Sequence, residues 1–272
     1  MHACETQQLA RDQRTSAGCE RNGAAEMATI QGREVPTTLL GALQPFDGDC
    51  SDGEALREAM TRDGYVYIQG GIDLSAATEA KEEVFSRLHS VGEIQAPAVQ
   101  GIPTGSSRRV ELHGDIGGEG MGRFWRSVSE GPALRRVTHG PQLHSLAAEL
   151  LGEPARPMDM MYLRPVGKGG VSDIHVDFPF FARGSRERPE SQSTQIYTCW
   201  VCFTDTELED GPLMVLEDSQ HWTDILEPIR AIDYDVIDHD TLQGAAFPKL
   251  AHPVDEAKQR GSRILTSRFR CG

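Results

Sequence analysis

Apolar residues recur at helical spacing in the first half of the chain and gather into short β-rich runs in the second. Asp52-Gly-Glu-Ala-Leu-Arg-Glu-Ala-Met60 predicts a helix, with Leu56 and Met60 one turn apart and Asp63-Gly64 as its stop. Tyr65 to Gln69 follows as a predicted strand. Ser75 is a candidate cap for a second helix whose Ala77, Ala80, Val84 and Leu88 fall on one face. Residues 93–122 carry Pro97, Pro103 and many glycines, and predict a long loop of the kind that often covers an active site. Pro132 and Pro141 each suit the first position of a helix. The second of these helices offers Leu143, Leu146, Ala147 and Leu150 to a core and ends at Gly152.

The pattern then switches. Met158 to Arg164, Ile174 to Phe180, Gln195 to Thr204, Leu213 to Leu216 and Arg263 to Phe269 all have β character. Helices followed by a run of strands predict a mainly β core with flanking helices. Residues 1–34 are polar and aperiodic, and are expected to form a disordered N-terminal extension, with Met27 a candidate natural start. Residues 35–272 then form one domain.

Composition narrows the function. The chain has 272 residues, 38% hydrophobic and 25% charged, with a formal net charge of −14. That charge disfavours nucleic acid and anionic membrane as partners. No stretch approaches the ~20 apolar residues of a membrane span, and no signal peptide is visible. The six cysteines form no pair of CxxC motifs, which excludes a zinc ribbon. Cys199-Trp-Val-Cys202 falls in a β-rich run, where its thiols are expected to be buried and reduced. A cytoplasmic location follows. There is neither a GxGxxG nor a GxxxxGK[ST] phosphate-binding loop.

The candidate chemistry sits in Ser172-Asp-Ile-His-Val-Asp-Phe-Pro-Phe-Phe181. On a strand, His175 and Asp177 would project from one face, roughly 7 Å apart along the backbone. One imidazole and one carboxylate are two thirds of a facial 2-His-1-carboxylate iron site. A second His-x-Asp, His113-Gly-Asp115, lies in a glycine-rich stretch and reads as surface polarity on a mobile loop.

Several motifs resemble the phytanoyl-CoA dioxygenase family. Asp63-Gly-Tyr-Val-Tyr-Ile-Gln-Gly70, with Ser90-Val-Gly-Glu-Ile94 after the next helix, resembles the opening of that family. Met160-Met-Tyr-Leu-Arg-Pro-Val-Gly167 resembles the strand and turn before its metal triplet. Tyr197-Thr-Cys-Trp-Val-Cys-Phe-Thr-Asp205 and Leu208-Glu-Asp-Gly-Pro-Leu-Met-Val-Leu-Glu-Asp-Ser-Gln-His221 resemble its W…D…E-N-G-x-L-x-V-x-P-G-S-H stretch. The likeness spans residues 50–272, in order.

The resemblance implies a double-stranded β-helix (jelly roll, cupin-like). It implies non-haem Fe(II) held by His175 and Asp177, with 2-oxoglutarate as cosubstrate and O2 as oxidant. In that chemistry, decarboxylation of 2-oxoglutarate to succinate and CO2 is coupled to oxidation of a substrate C–H bond. Trp200 matches a cosubstrate-contact position, its other reading being a core aromatic, and Thr198 and Cys202 share its face by alternation. Tyr162 and Met160 share a strand face where the family places cosubstrate contacts. Relatives that halogenate carry a small residue in place of Asp177, so a carboxylate here implies hydroxylation of a small molecule.

The family's third ligand, a histidine, and its 2-oxoglutarate-binding arginine lie beyond a late Gly-Asp turn. This chain runs Ser262-Arg-Ile-Leu-Thr-Ser-Arg-Phe-Arg-Cys-Gly272 and reaches about the glycine of that turn. The expectation is a C-terminally incomplete dioxygenase domain, with its last strands missing. The alternatives are a catalytically silent binding or scaffold relative on the same fold and a cupin-like metalloenzyme that uses no 2-oxoglutarate. His221, His239 and His252 read as turn or loop residues, and Arg268 and Arg270 as strand-edge charges. Arg108 and Arg109 are candidates to meet an anionic substrate, with solvation as the plainer reading. Neither the substrate nor the oligomeric state is legible.

Overall fold

A computed structural model describes residues 27–114, 122–158, 161, 163, 173–181, 196–233, 241, 250 and 252–272. Strands β1 (Met27–Ile30) and β2 (Arg33–Pro36) form an antiparallel hairpin. Its two-residue turn places Gln31 and Gly32 at positive φ, the twist that a tight hairpin needs. The hairpin overlaps the predicted disordered extension, so order begins earlier than expected. Ala28, Ile30 and Val35 alternate inward and pack on Val254, Ala257 and Ile264. Those buried partners come from the far end of the chain.

A second sheet has the order β3 (Leu40–Ala42), β5 (Ile264–Thr266), β4 (Met214–Leu216). β3 runs parallel to β5, and β4 antiparallel to it. Single bridges continue the pairing, Pro45 with Tyr67 on one side and Thr206 with Phe269 on the other. Segments distant in sequence thus converge on the residues after β5.

The helical layer follows its sequence signals closely. Helix α1 (Gly53–Asp63) is capped by the Asp52 side chain, which accepts from the backbone N–H groups of Glu54 and Ala55, and it ends on left-handed Gly64. Helix α2 (Leu74–Ser90) begins two residues earlier than a Ser75 cap would place it, because Asp73 caps it instead. Ala77, Ala80, Val84 and Leu88 are all buried, as their spacing predicts. They face α4 (Arg123–Ser129) and α5 (Pro132–Thr138), joining Phe124, Val128, Leu134 and Val137 in the largest apolar cluster. The Val, Leu and Phe side chains among them each contribute about 1.5–3 kcal/mol when fully buried. Helix α6 (Pro141–Leu151) stops at Gly152 as predicted, but of its four expected core residues only Leu150 is buried.

The predicted long loop is more structured than its composition suggests. Ile94 pairs with Pro103, and α3 (Arg109–His113) follows. Helices α8 (Thr223–Arg230) and α9 (Pro253–Arg260) lie between β4 and β5 in sequence.

The described residues do not display the expected mainly β core. Among the described residues, helices hold far more of the chain than strands, and the sheets have two and three strands. Of the five late strands, Leu213 to Leu216 and Arg263 to Phe269 appear as β4 and β5. The described part of Ile174 to Phe180 is irregular and then turns into the short helix α7 (Phe178–Phe181). Pro179 accounts for that ending, since proline cannot donate to a β-ladder but fits the first turn of a helix. Residues 196–204 form no strand either. A β-former becomes a strand only beside a backbone that pairs with it. Cys199 is consequently exposed and Cys202 half-buried, not interior as expected.

Candidate metal centre

His175 and Asp177 come together, though not through strand alternation. They lie on the irregular segment leading into α7, and Nε2 of His175 is 3.3 Å from Oδ1 of Asp177. The other ring nitrogen, Nδ1, is 2.8 Å from the Asp173 carbonyl oxygen. A carbonyl only accepts, so Nδ1 carries a proton in this contact, and the ring is turned with Nε2 toward Asp177. Orientation of a histidine through its second nitrogen is a common device of metal sites. The side chains are 32% and 42% exposed, so an ion from solvent can reach both.

The geometry suits a bridging cation. Two donors each ~2.1 Å from one ion and at right angles to each other stand about 3 Å apart. The observed separation is close to that figure. One imidazole and one carboxylate also match the donor preference of ferrous iron. Among the described residues, no group of three His, Cys, Asp or Glu side chains is assembled that could hold a metal.

The cosubstrate candidates are spread differently. Trp200 is 45% exposed, and Thr198 is exposed as well. The Trp200 ring packs on Phe269, centroids 4.6 Å apart at 66°. Tyr162 and Met160 lie outside the described residues. Nothing in the sequence flagged Phe269 or the Asp173 carbonyl, because both act through tertiary or backbone contacts that leave no local motif.

The remaining candidates are occupied elsewhere. Arg268 pairs with Glu207 at 3.0 Å, and Arg270 with Glu207 and Asp205 at 2.6 and 3.3 Å. Arg109 pairs with Glu93 at 2.5 Å and lies over the Phe124 and Trp125 rings at 5.1 and 4.5 Å. It therefore fastens the 93–113 segment to α4, whereas an anion receptor would present it to solvent. Arg108 pairs with Glu111. His113 sits at the end of α3, its ring 5.1 Å from Phe124, and Asp115 lies outside the described residues. His221 closes a 3-10 turn and His252 caps α9. His239 lies outside the described residues.

The phytanoyl-CoA dioxygenase (PhyH) family model matches residues 60–260. The chain belongs to the phytanoyl-CoA dioxygenase family. The matched span includes the His175–Asp177 pair, Thr198 and Trp200, as well as Tyr162 and Met160. It begins inside α1 and ends at the last residue of α9, so it takes in the helical layer and β4. No curated protein and no solved structure matches the chain. No helix among the described residues is long and apolar enough to cross a membrane. Membership in this family carries a general dioxygenase chemistry acting on a small-molecule substrate.

Proposed function

We propose that this protein is an Fe(II)- and 2-oxoglutarate-dependent dioxygenase that hydroxylates a small molecule. The observation that carries the reading is the approach of His175 Nε2 to Asp177 Oδ1, inside the span matched by the family. In this reading both side chains hold the metal within the family's jelly-roll core. Iron, when bound with 2-oxoglutarate, supplies the activation of O2. The chain's own part is to bind and orient. Nδ1–H of His175 donates to the Asp173 carbonyl and keeps Nε2 as the donor atom. Asp177 contributes one negative charge beside the cation, and its presence leaves no position for halide, which favours hydroxylation. This reading assigns Trp200, Thr198, Tyr162 and Met160 to the cosubstrate. A cytoplasmic location accords with the reduced thiols that this reading assumes.

The alternative reading is a catalytically silent binding relative of the same fold. Anaerobic addition of Fe(II) and then 2-oxoglutarate separates the two. The dioxygenase retains iron, develops a visible charge-transfer band with 2-oxoglutarate and releases succinate once O2 is admitted. A protein that retains no iron and shows no band is the silent relative. Iron retention without 2-oxoglutarate binding would instead match a cupin-like metalloenzyme.

A further inference from the structure

Two aromatic side chains from distant parts of the sequence, Tyr67 and Phe269, meet beside Trp200. Phe269 is almost fully buried, 7% exposed. Its backbone is fixed by a mutual pair of hydrogen bonds with Thr206, 2.9 and 3.0 Å. The Tyr67 ring packs against it at 5.2 Å and 65°. The Tyr67 hydroxyl also donates to the carbonyl oxygen of Arg268, the residue before Phe269, at 3.1 Å. Tyr67 is itself held, since its carbonyl accepts from the Phe46 backbone N–H at 2.7 Å. Trp200 packs on Phe269 while nearly half of its surface faces solvent.

An exposed indole normally samples several rotamers. Edge-to-face contact with a neighbouring ring favours one of them by about 0.5–1.5 kcal/mol. That preference holds only if the supporting ring is itself immobile. Phe269 meets the condition because Tyr67 grips both its ring and the backbone just before it. Cys202 and Leu265 fill the same cluster, so little space remains for Phe269 to turn.

We infer that Tyr67 is a positioning residue, acting through Phe269 to fix the orientation in which Trp200 meets 2-oxoglutarate. The inference rests on the reading of Trp200 as a cosubstrate contact. Tyr67 and Phe269 themselves touch neither metal nor cosubstrate. Their effect belongs in cosubstrate recognition and leaves iron affinity unchanged.

Two readouts on the full chain test it. The chain has three tryptophans, so a 15N-labelled sample gives three indole N–H signals, and Trp200→Phe identifies the one from Trp200. In Phe269→Leu and Tyr67→Leu that signal shifts while the other two stay in place. Tyr67→Phe keeps the ring, loses only the hydroxyl bond and gives a smaller shift in the same direction. In turnover, Phe269→Leu raises the KM for 2-oxoglutarate about five- to tenfold with kcat within about twofold, as expected when a binding contact is misplaced. Tyr67→Phe, the mildest change, gives an intermediate KM and serves if Phe269→Leu does not fold.

An unmoved Trp200 signal in both leucine variants overturns the inference. So does a moved signal with an unchanged KM in an enzyme that turns over, and in that case the dioxygenase reading survives. If the unaltered protein neither binds 2-oxoglutarate nor forms succinate, the dioxygenase reading falls and takes the positioning role with it. A moved Trp200 signal would then record packing alone.

Discussion

Nε2 of His175 and Oδ1 of Asp177 stand 3.3 Å apart across a single intervening residue, Val176. The pair needs no strand to converge, because the Asp173 carbonyl turns the imidazole toward the carboxylate. Each side chain is expected to be needed for metal retention. Altering the outer partners of a metal site typically costs 10–100-fold in affinity, so removing a direct donor should cost at least about 100-fold. His175→Ala and Asp177→Ala should each show this loss in anaerobic Fe(II) equilibrium dialysis. Asp173→Ala keeps the carbonyl and should bind iron within about threefold of the unaltered protein, well short of that penalty. Equal retention of iron by all three variants would place the metal elsewhere.

Arg260 ties α8 to α9 and should matter to stability. Its guanidinium forms a two-pronged contact with Asp224, 3.1 and 2.8 Å, and reaches Glu256 at 3.0 Å. It also lies over the Trp222 ring at 4.2 Å. Glu256 is buried, so loss of its cationic partner leaves a poorly solvated carboxylate. Arg260→Ala is expected to cost about 2–3 kcal/mol, read as a lower urea midpoint with unchanged slope. Arg260→Lys keeps the charge but lacks the planar fork and should fall between.

Glu83 joins two helices by capping one from the other. Its carboxylate, on α2, accepts from the backbone N–H groups of Ala133 and Leu134 in the first turn of α5, at 2.9 and 3.1 Å. Gly131 makes this approach possible, since a Cβ there would stand 2.5 Å from the Glu83 carboxylate. Glu83→Ala should cost about 1–2 kcal/mol by leaving those N–H groups unsatisfied at a packed interface. Gly131→Ala should destabilise in the same direction by crowding the carboxylate. Thermal unfolding of the two single variants and the double variant checks the coupling, because the double should lose less than the sum.

His252 should make the N-terminal hairpin sensitive to acid. Its Nδ1 accepts from the Val254 N–H at 3.3 Å, and Nε2 lies 3.4 Å from the Gln31 carbonyl in the hairpin turn. Burial and the Arg33 guanidinium push its pKa below the ordinary 6.5, while the Gln31 carbonyl and Asp255 pull the other way. Arg33 itself pairs with Asp255, so hairpin and α9 meet through charge as well. The folded state therefore binds a proton less readily than the unfolded chain does. This contribution to stability is complete above pH 6.5 and is lost as pH falls from there through the depressed folded value. Protonation also removes the acceptor that caps α9. The hairpin amides of Ala28 to Val35 should exchange faster with solvent at acid pH, and His252→Asn should flatten that dependence. An equal pH response in the variant would exclude His252 as its source.

The helices were the most legible part of the molecule. Asp52 before α1, Gly64 after it, and the Ala77, Ala80, Val84, Leu88 stripe all behave as local rules require, because each rule concerns hydrogen bonds or faces within one turn or two. The late strands were less legible. Leu213 to Leu216 found a partner in β5, whereas residues 196–204, equally rich in β-formers, found none. Residue type alone does not say which backbone will lie alongside.

The sequence by itself determined the family and singled out the His175 and Asp177 pair for which a metal is proposed. Both rest on the order and identity of side chains: the His-x-Asp pair, the Trp200 run and the motif that ends at His221. Tertiary structure decided how the pair converges, through the Asp173 carbonyl, and what stands beneath Trp200. It also decided that the hairpin of residues 27–36 is part of the fold, held by α9 and β5. These outcomes depend on contacts between segments up to some two hundred residues apart. The free energy of such a contact belongs to a pair of surfaces and cannot be read from either one alone.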